Sequence, residues 1–179
     1  MTAKNMPPAN PPKPLKPSRR PTAAAFREAL GQFPTGVTIV TAAGADKPVG
    51  MTANSFASVS LDPPLVLWSV AKATSSFAAF IAADAYAVHF LGADQRELAM
   101  RFASRIDDKF AGLDHRPGVT GAPVLEGVEP LLECRVWARH DGGDHMILVG
   151  EVVHIRSRAH QPLLFHAGVL RPVDEVDLG

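Results

Sequence analysis

The chain has 179 residues, and 46% of them are hydrophobic, so it is long enough to bury one continuous core. Its 18 basic residues are balanced by 18 acidic residues, which leaves no net charge to attract nucleic acid or an anionic membrane surface. A single cysteine, Cys134, excludes an internal disulfide framework and a thiolate-rich zinc site. The sequence shows neither a secretory signal nor an apolar run near the roughly 20 residues of a membrane-spanning helix. We therefore expect a soluble, cytoplasmic protein that acts on a small molecule.

The first 21 residues differ in composition from the rest of the chain. They contain seven prolines among lysine, asparagine and arginine. Proline lacks the amide donor that helices and sheets need, and these residues offer little apolar surface to bury. The composition predicts a disordered tail at residues 1–21 and one domain at residues 22–179. A polyproline II arm lying across a neighbouring subunit is the alternative for the tail.

Three short helices are predicted. The first begins after the cap residue Thr22 and carries apolar residues at helical spacing, so one face should pack against the protein: Phe26, Leu30 and Phe33. A second helix follows the hydroxyl residues at 74–76, any of which could cap it. A capping-box pattern that starts at Asp94 predicts the third.

Six segments are predicted to be strands, because β-branched and apolar residues alternate or run together in them. They are residues 37–43, 49–61, 64–70, 86–91, 131–140 and 145–155. Strands and helices do not alternate regularly along the chain, and a turn at 141–144 joins the last two strands as a hairpin. The pattern predicts a mainly β, antiparallel, closed barrel with peripheral helices.

The familiar nucleotide and hydrolase motifs do not occur in this sequence. It has no GxGxxG after a strand, no GxxxxGK[ST], no HExxH and no GxSxG. A dinucleotide would therefore have to bind at a site other than a Rossmann crevice.

Residues 50–64 place small and hydroxylated side chains where β-branched residues would make a more stable strand. This choice indicates that a ligand approaches the backbone closely. Asn54, Ser55, Ser58 and Ser60 offer donors and acceptors that match the edge of an isoalloxazine ring and the hydroxyls of a ribityl chain. The alternative is a polar strand that faces solvent.

Two further groups of residues could bind phosphates. Residues 71–76 place three hydroxyls and Lys72 around a helix start, where free amides favour an anion, although ordinary capping explains one hydroxyl. Arg101 and Lys109 flank Phe102 and Phe110 and could serve a pyrophosphate and an adenine face. The alternative for these two cations is a solvated helix surface.

The seven histidines show no tight spacing of metal ligands, so no metal site is predicted. His145 differs from the others because it follows a Gly-Gly-Asp turn at the mouth of the predicted hairpin. A histidine at that position could hydrogen-bond a substrate while remaining mostly neutral near pH 7.

In combination, these segments resemble the flavin reductase family with the FMN-binding split-barrel fold, the small components of two-component flavin-dependent monooxygenases. The motifs that carry the resemblance are residues 26–41, 50–67, 108–112, 121–127, 133–136, 142–152 and 162–168. The resemblance implies a six-stranded antiparallel Greek-key split barrel with peripheral helices. It also implies a homodimer that holds the flavin in a groove near the subunit interface.

The resemblance also implies roles for individual residues. The isoalloxazine and ribityl chain would be bordered by Asn54, Ser55, Phe56, Ala57, Ser58 and Ser60. The flavin phosphate would meet Thr74, Ser75 and Ser76, and the far end of the flavin would be closed by Lys109 and Phe110. The nicotinamide side would be formed by His145, Phe165, His166, Ala167 and Gly168. His166 departs from the family pattern, in which relatives often carry an aromatic residue.

The implied function is reduction of FAD or FMN by NADH or NADPH, followed by transfer of the reduced flavin to a partner monooxygenase. Hydride transfer between these cofactors needs no protein acid or nucleophile, so no obligatory catalytic residue is predicted. One alternative is a flavoprotein that retains FMN and reduces a bound organic substrate or metal chelate. The other is a non-enzymatic module that binds flavin or haem.

Overall fold

The structure is a computed structural model that describes residues 20–175. The predicted tail, residues 1–21, lies outside the described residues except for Arg20 and Pro21, and it stays a prediction. Three α-helices are described: α1 (Ala23–Gly31), α2 (Phe77–Ala82) and α3 (Arg96–Ala103). No helix within residues 20–175 is long and apolar enough to cross a bilayer.

Twelve strands occur within the same residues. They are β1 (Thr35–Gly36), β2 (Thr38–Ala42), β3 (Val49–Ala53), β4 (Ala57–Leu61), β5 (Pro64–Ala71), β6 (Ala85–Phe90), β7 (His115–Pro117), β8 (Pro123–Leu125), β9 (Leu131–Gly142), β10 (His145–Arg156), β11 (Leu163–His166) and β12 (Val169–Pro172). Seven of them form the main sheet in the order β3-β2-β6-β9-β10-β5-β4. Strands β1, β11 and β12 form a second sheet, and β7 pairs with β8.

Every strand pair within residues 20–175 is antiparallel, and strands outnumber helices. The predicted mainly β class is therefore confirmed. The predicted number of strands, six, is too low for the main sheet. The extra strand arises because the predicted strand at 49–61 is two strands, β3 and β4.

Strands β3 and β4 lie at opposite edges of the main sheet although only Asn54, Ser55 and Phe56 separate them in the chain. The chain leaves the ladder at this link because the Ser55 hydroxyl replaces a backbone partner: it accepts from the Ser69 amide at 3.0 Å and donates to the Ser69 carbonyl at 3.2 Å. Phe56 anchors the link by packing edge-on against Phe90, with ring centroids 5.0 Å apart. We call residues 54–56 the seam segment.

The main sheet encloses an apolar core around Trp68. Its ring meets Phe80 and Tyr86 edge-on, with centroids 5.0 and 5.9 Å away, and all three side chains are buried. Gly150 is required opposite Tyr86, because a Cβ at this position would lie 2.2 Å from the Tyr86 hydroxyl oxygen. The interior is therefore filled by side chains, and a ligand must bind on the outside of the sheet.

His89 is a fully buried polar residue on β6. Its Nδ1 lies 3.2 Å from the Ile39 carbonyl, and its Nε2 accepts from the Leu125 amide at 3.0 Å. Nε2 can accept this bond only when it is unprotonated, so the ring proton is on Nδ1, which donates a hydrogen bond to the Ile39 carbonyl. Burial lowers the pKa of His89 to about 4, with a smaller contribution from the charge of Arg156. The neutral ring therefore ties β6 to β2 and β8.

Helix α3 packs against β3 over a second apolar core. The Thr52 hydroxyl donates to the Ala99 carbonyl at 2.6 Å, and the rings of Phe102 and Phe110 meet edge-on at 5.2 Å. The helix is preceded by a 3₁₀ turn, where the Gln95 side chain accepts from the Gly92 amide at 2.9 Å. The capping interaction therefore involves Gln95 and not the box predicted at Asp94.

Helix α1 begins as predicted, since the Thr22 hydroxyl accepts from the Ala25 amide at 3.2 Å. The predicted packing of one face of α1 is not seen within residues 20–175. Phe26, Leu30 and Phe33 are 55%, 56% and 72% exposed, and no residue of the helix is buried. The end of α1 is nevertheless fixed, because the Gly31 carbonyl accepts from the Ala167 amide at 2.9 Å.

Candidate functional site

The seam segment continues into an exposed edge strand. Among residues 20–175, β4 pairs only with β5, so the other edge of β4 keeps free backbone donors and acceptors. Asn54, Ser55, Ala57 and Ser58 are exposed along this edge, whereas Phe56 and Ser60 are half-buried. The arrangement can bind the polar rim of a flat ring through backbone groups.

The hydroxyls at residues 74–76 follow the end of β5 at Ala71, the same end at which Ser55 bonds to Ser69. Ser76 occupies the cap position of α2, but its side chain makes no capping hydrogen bond. The hydroxyl oxygens of Thr74 and Ser76 lie 3.4 Å apart, and Ser75 is exposed. Because these hydroxyls do not cap α2 and the Thr74–Ser76 hydrogen bond is long, they can turn to an anion.

His145 lies beside this group, since its register partner on β5 is Ala71. Its Nδ1 is 2.7 Å from the Asp144 carboxylate, and the Asp144 carbonyl accepts from the Lys72 amide at 2.9 Å. The hydrogen bond from His145 lowers the pKa of Asp144, so the carboxylate stays ionised. The ionised carboxylate accepts a hydrogen bond from Nδ1 and thereby keeps the ring proton on that nitrogen. The other ring nitrogen, Nε2, makes no hydrogen bond within residues 20–175 and can contact a ligand.

Lys72 is also held in place. Its ammonium lies 2.5 Å from the Asp141 carboxylate, and this hydrogen bond lowers the pKa of Asp141. The end of the β9–β10 hairpin and the start of the 72–76 segment are thereby joined by two contacts. Lys72, Asp141, Asp144 and His145 form one polar cluster next to the free hydroxyls.

A cleft of about 450 Å³ opens between α3, β3 and the β11–β12 hairpin. It is lined by Val37, Thr52, Asn54, Arg96, Ala99, Met100, Ala103, Phe165, Gly168, Val169 and Leu170. Its volume lies within the usual range for small-ligand sites. The cleft brings the seam residue Asn54 together with Phe165 and Gly168, as a shared ligand site requires.

The β11–β12 turn that borders the cleft is tightly shaped. Ala167 and Gly168 both have left-handed backbone angles, with φ of 47° and 80°. His166 is half-buried on β11, and Ala167 is exposed and hydrogen-bonded to the end of α1. The turn position therefore depends on α1.

The residues predicted for the nicotinamide side fall into two places within this chain. Phe165 and Gly168 line the cleft in the small sheet, whereas His145 lies on β10 of the main sheet and does not line the cleft.

The residues predicted for the far end of the flavin are internal. The Lys109 ammonium donates to the Phe102 carbonyl at 2.7 Å and to the Gly50 carbonyl at 3.3 Å, and partial burial lowers its pKa. Phe110 is buried against Phe102 and His115. In this structure the two residues support β3 and α3, and their role toward a flavin stays a prediction.

The cleft also contains residues that the sequence did not single out: Arg96, Met100 and Leu170. Arg96 begins α3, and in the sequence it differs in no way from a charge on a solvated helix face. Only the packing of α3 beside the β11–β12 hairpin places it in a cleft.

A small antiparallel barrel with a filled interior, an open polar edge and an adjacent cleft defines a protein that holds a flat, polar ligand on the outside of its sheet. Comparisons with known proteins identify the ligand class. Residues 30–174 match the family described as "Flavin reductase like domain". The chain belongs to this flavin reductase family, and the predicted family, split-barrel fold and enzyme class are confirmed.

Three relatives illustrate the match. The FMN reductase (NADH) SmoA of Agrobacterium fabrum is 52% identical over 143 residues, covering 80% of this chain and 82% of that protein. HsaB of Mycobacterium tuberculosis, the reductase subunit of a flavin-dependent monooxygenase, is 42% identical over 146 residues, covering 80% of this chain and 78% of that protein. The solved NADH:FAD oxidoreductase SgcE6 of Streptomyces globisporus, in complex with NAD and FAD fragments, has a TM-score of 0.78 at 40% identity, covering 89% of this chain and 95% of that chain.

Proposed function

We propose that this protein uses NADH to reduce FAD or FMN and supplies the reduced flavin to a partner monooxygenase. The observation that carries the proposal is the open edge at β4, which exposes backbone groups and hydroxyls to a ligand without enclosing it. An open site suits a flavin that must leave after reduction. The names of the relatives support the same reaction and the same kind of partner.

The chain's own contribution is to bind and orient. The seam segment and β4 would hold the isoalloxazine ring and ribityl chain, and the hydroxyls of Thr74, Ser75 and Ser76 would hold the flavin phosphate. A bound nicotinamide supplies the hydride that the flavin accepts, and no protein acid or base is needed. His145, with its tautomer fixed by Asp144, would orient the nicotinamide through Nε2.

We further infer that the protein is a homodimer. The apolar face of α1 is covered by nothing within residues 20–175, and Leu61 at the end of β4 is 95% exposed. A second copy of the chain would cover such surfaces and could bring His145 and the β11–β12 turn to one ligand. The groove near the subunit interface would then contain both parts of the nicotinamide side.

The rival functions make different demands on the purified protein. A reductase that releases its flavin consumes NADH rapidly only when free FAD or FMN is added. A flavoprotein that retains FMN is coloured as purified and needs its own acceptor, and a binding module consumes no NADH. NADH consumption that is independent of added flavin, or absent with every flavin tested, would overturn the proposal.

Replacing both Ser75 and Ser76 by alanine is expected to weaken FMN binding roughly tenfold or more while leaving riboflavin binding unchanged. Each hydroxyl lost from an anion removes a hydrogen bond to a charged group, about 1.5 to 3 kcal/mol in a buried setting and less when exposed. Flavin fluorescence titration measures both affinities. Ser157→Ala, an exposed serine elsewhere, is the control. Equal weakening of FMN and riboflavin would show that the two hydroxyls do not bind the phosphate.

His145→Ala is expected to lower kcat/KM for NADH roughly two- to tenfold, because one neutral hydrogen bond contributes about 0.5 to 1.5 kcal/mol. Flavin affinity and melting temperature should stay near those of the unaltered protein, since the His145 side chain is 44% exposed and its ring makes one hydrogen bond within residues 20–175, with Asp144. Stopped-flow kinetics and thermal melts on the same variant measure these quantities. A lower melting temperature with unchanged kinetics would assign His145 to the hairpin alone.

A further inference from the structure

The cleft beside α3 has one charged residue in its lining, Arg96. The rest of its wall is mainly apolar and includes Met100, Phe165, Val169 and Leu170. A ligand that complements this wall has a flat apolar part and an anionic group at one end. The guanidinium group offers five donors in a planar fork that suits a phosphate or a carboxylate.

Arg96 has no partner among residues 20–175, in contrast to several other arginines. Arg101 donates to the Ala111 carbonyl and Arg139 to the Ala83 carbonyl. Arg116 and Arg156 form ion pairs with glutamates. Arg96 makes none of these contacts within the described part of the chain, so its hydrogen-bonding capacity is open to a ligand.

The flavin phosphate has another place in the proposed site. The free hydroxyls of residues 74–76 follow β5 of the main sheet, whereas Arg96 lies on α3 across the cleft from the β11–β12 hairpin. The second anionic molecule of the reaction is the nicotinamide dinucleotide. Its pyrophosphate is negatively charged and complements the positive guanidinium group of Arg96, and its nicotinamide end would lie against the apolar wall beside Phe165.

We propose that Arg96 binds the pyrophosphate of the reduced nicotinamide dinucleotide and thereby determines its affinity. This inference rests on the proposed function and adds a residue to it. Because Arg96 is exposed, the interaction is screened by salt, and the KM for NADH should rise with ionic strength. The proposal also requires that NADH and NADPH depend on Arg96 equally, since both contain the pyrophosphate.

The test compares Arg96→Gln, Arg96→Lys and the control Arg105→Gln, an exposed arginine outside the cleft lining. Arg96→Gln should raise the KM for NADH and for NADPH roughly tenfold, and Arg96→Lys should raise it less because the charge remains. The KM for dihydronicotinamide riboside, which has no phosphate, should not change. The salt dependence of the KM for NADH should disappear in Arg96→Gln.

Three results would overturn the proposal. An unchanged KM for NADH excludes the contact, and a rise that affects NADPH alone assigns Arg96 to the 2′-phosphate. An equal rise for dihydronicotinamide riboside assigns Arg96 a purely structural role. Direct fluorescence titration with NADH separates this inference from the proposed function: if the unaltered protein binds NADH and Arg96→Gln binds it tenfold more weakly, the inference holds even if no flavin is reduced.

Discussion

Replacing Phe26 and Phe33 by aspartate is expected to turn the proposed dimer into monomers and to reduce flavin turnover roughly tenfold or more. Phe26 on α1 and Phe33, two residues after the helix, are both more than half exposed, and a carboxylate cannot be buried at either position without a partner. The Gly31 carbonyl at the end of α1 holds the Ala167 amide, so a loosened α1 shifts the turn that borders the cleft. Displacements of about 1 Å near a reacting pair can cost on the order of 100-fold in rate.

Sedimentation velocity measures the oligomeric state, and NADH consumption with added flavin measures turnover. Val119→Asp is the matched control, since Val119 is 68% exposed and lies outside α1. Circular dichroism should show that the double variant is folded, because its native side chains bury little within one chain. An unaltered protein that sediments as a monomer and reduces flavin at full rate would contradict the inferred dimer.

Acidification is expected to remove about 3 kcal/mol of the free energy of unfolding through His89 alone. Burial lowers the pKa of His89 from 6.5 to about 4, so the folded protein keeps the ring neutral while the unfolded chain takes up a proton below 6.5. The stabilisation is therefore complete above pH 6.5 and is lost as the pH falls toward 4. Urea unfolding at several pH values measures it.

His89→Gln isolates this contribution, because glutamine keeps a donor and an acceptor but does not titrate in this range. The variant should be less stable than the unaltered protein near pH 7, and the difference should shrink steadily toward about pH 4. His160→Gln, at an exposed histidine, serves as the control. If the difference in unfolding free energy is the same at both pH values, His89 is not the residue that titrates.

The class of the fold could be predicted because alternation and turn residues are local signals. The hairpin of β9 and β10 is clear from the sequence, since a Gly-Gly-Asp turn separates an alternating segment from a mainly apolar one. The division of residues 49–61 could not be predicted, because Ser55 breaks the strand only by bonding to Ser69, which is distant in sequence. The exposure of α1 was also hidden, since an amphipathic pattern does not say which molecule covers the apolar face.

The candidate site was predictable to a different degree in its different parts. Hydroxyl residues such as Ser58 and Ser60 stand out because β-branched residues would make a more stable strand at their positions. Phe110 could not be assigned from the sequence, since an aromatic residue beside a lysine occurs in the same pattern in a core as in a ligand site. In the structure its side chain is buried. Arg96 carried no signal, because its surroundings are made by the β11–β12 hairpin, which lies far along the chain.

The seam segment connects the two edge strands of the main sheet through only three consecutive residues. Strand β3 ends one edge, strand β4 ends the other, and residues 54–56 connect them. A molecule that binds residues 54–56 therefore binds the link between the two edge strands. In the proposed reaction, the binding and release of a flavin at this link would change how firmly the two edge strands, β3 and β4, are held relative to each other.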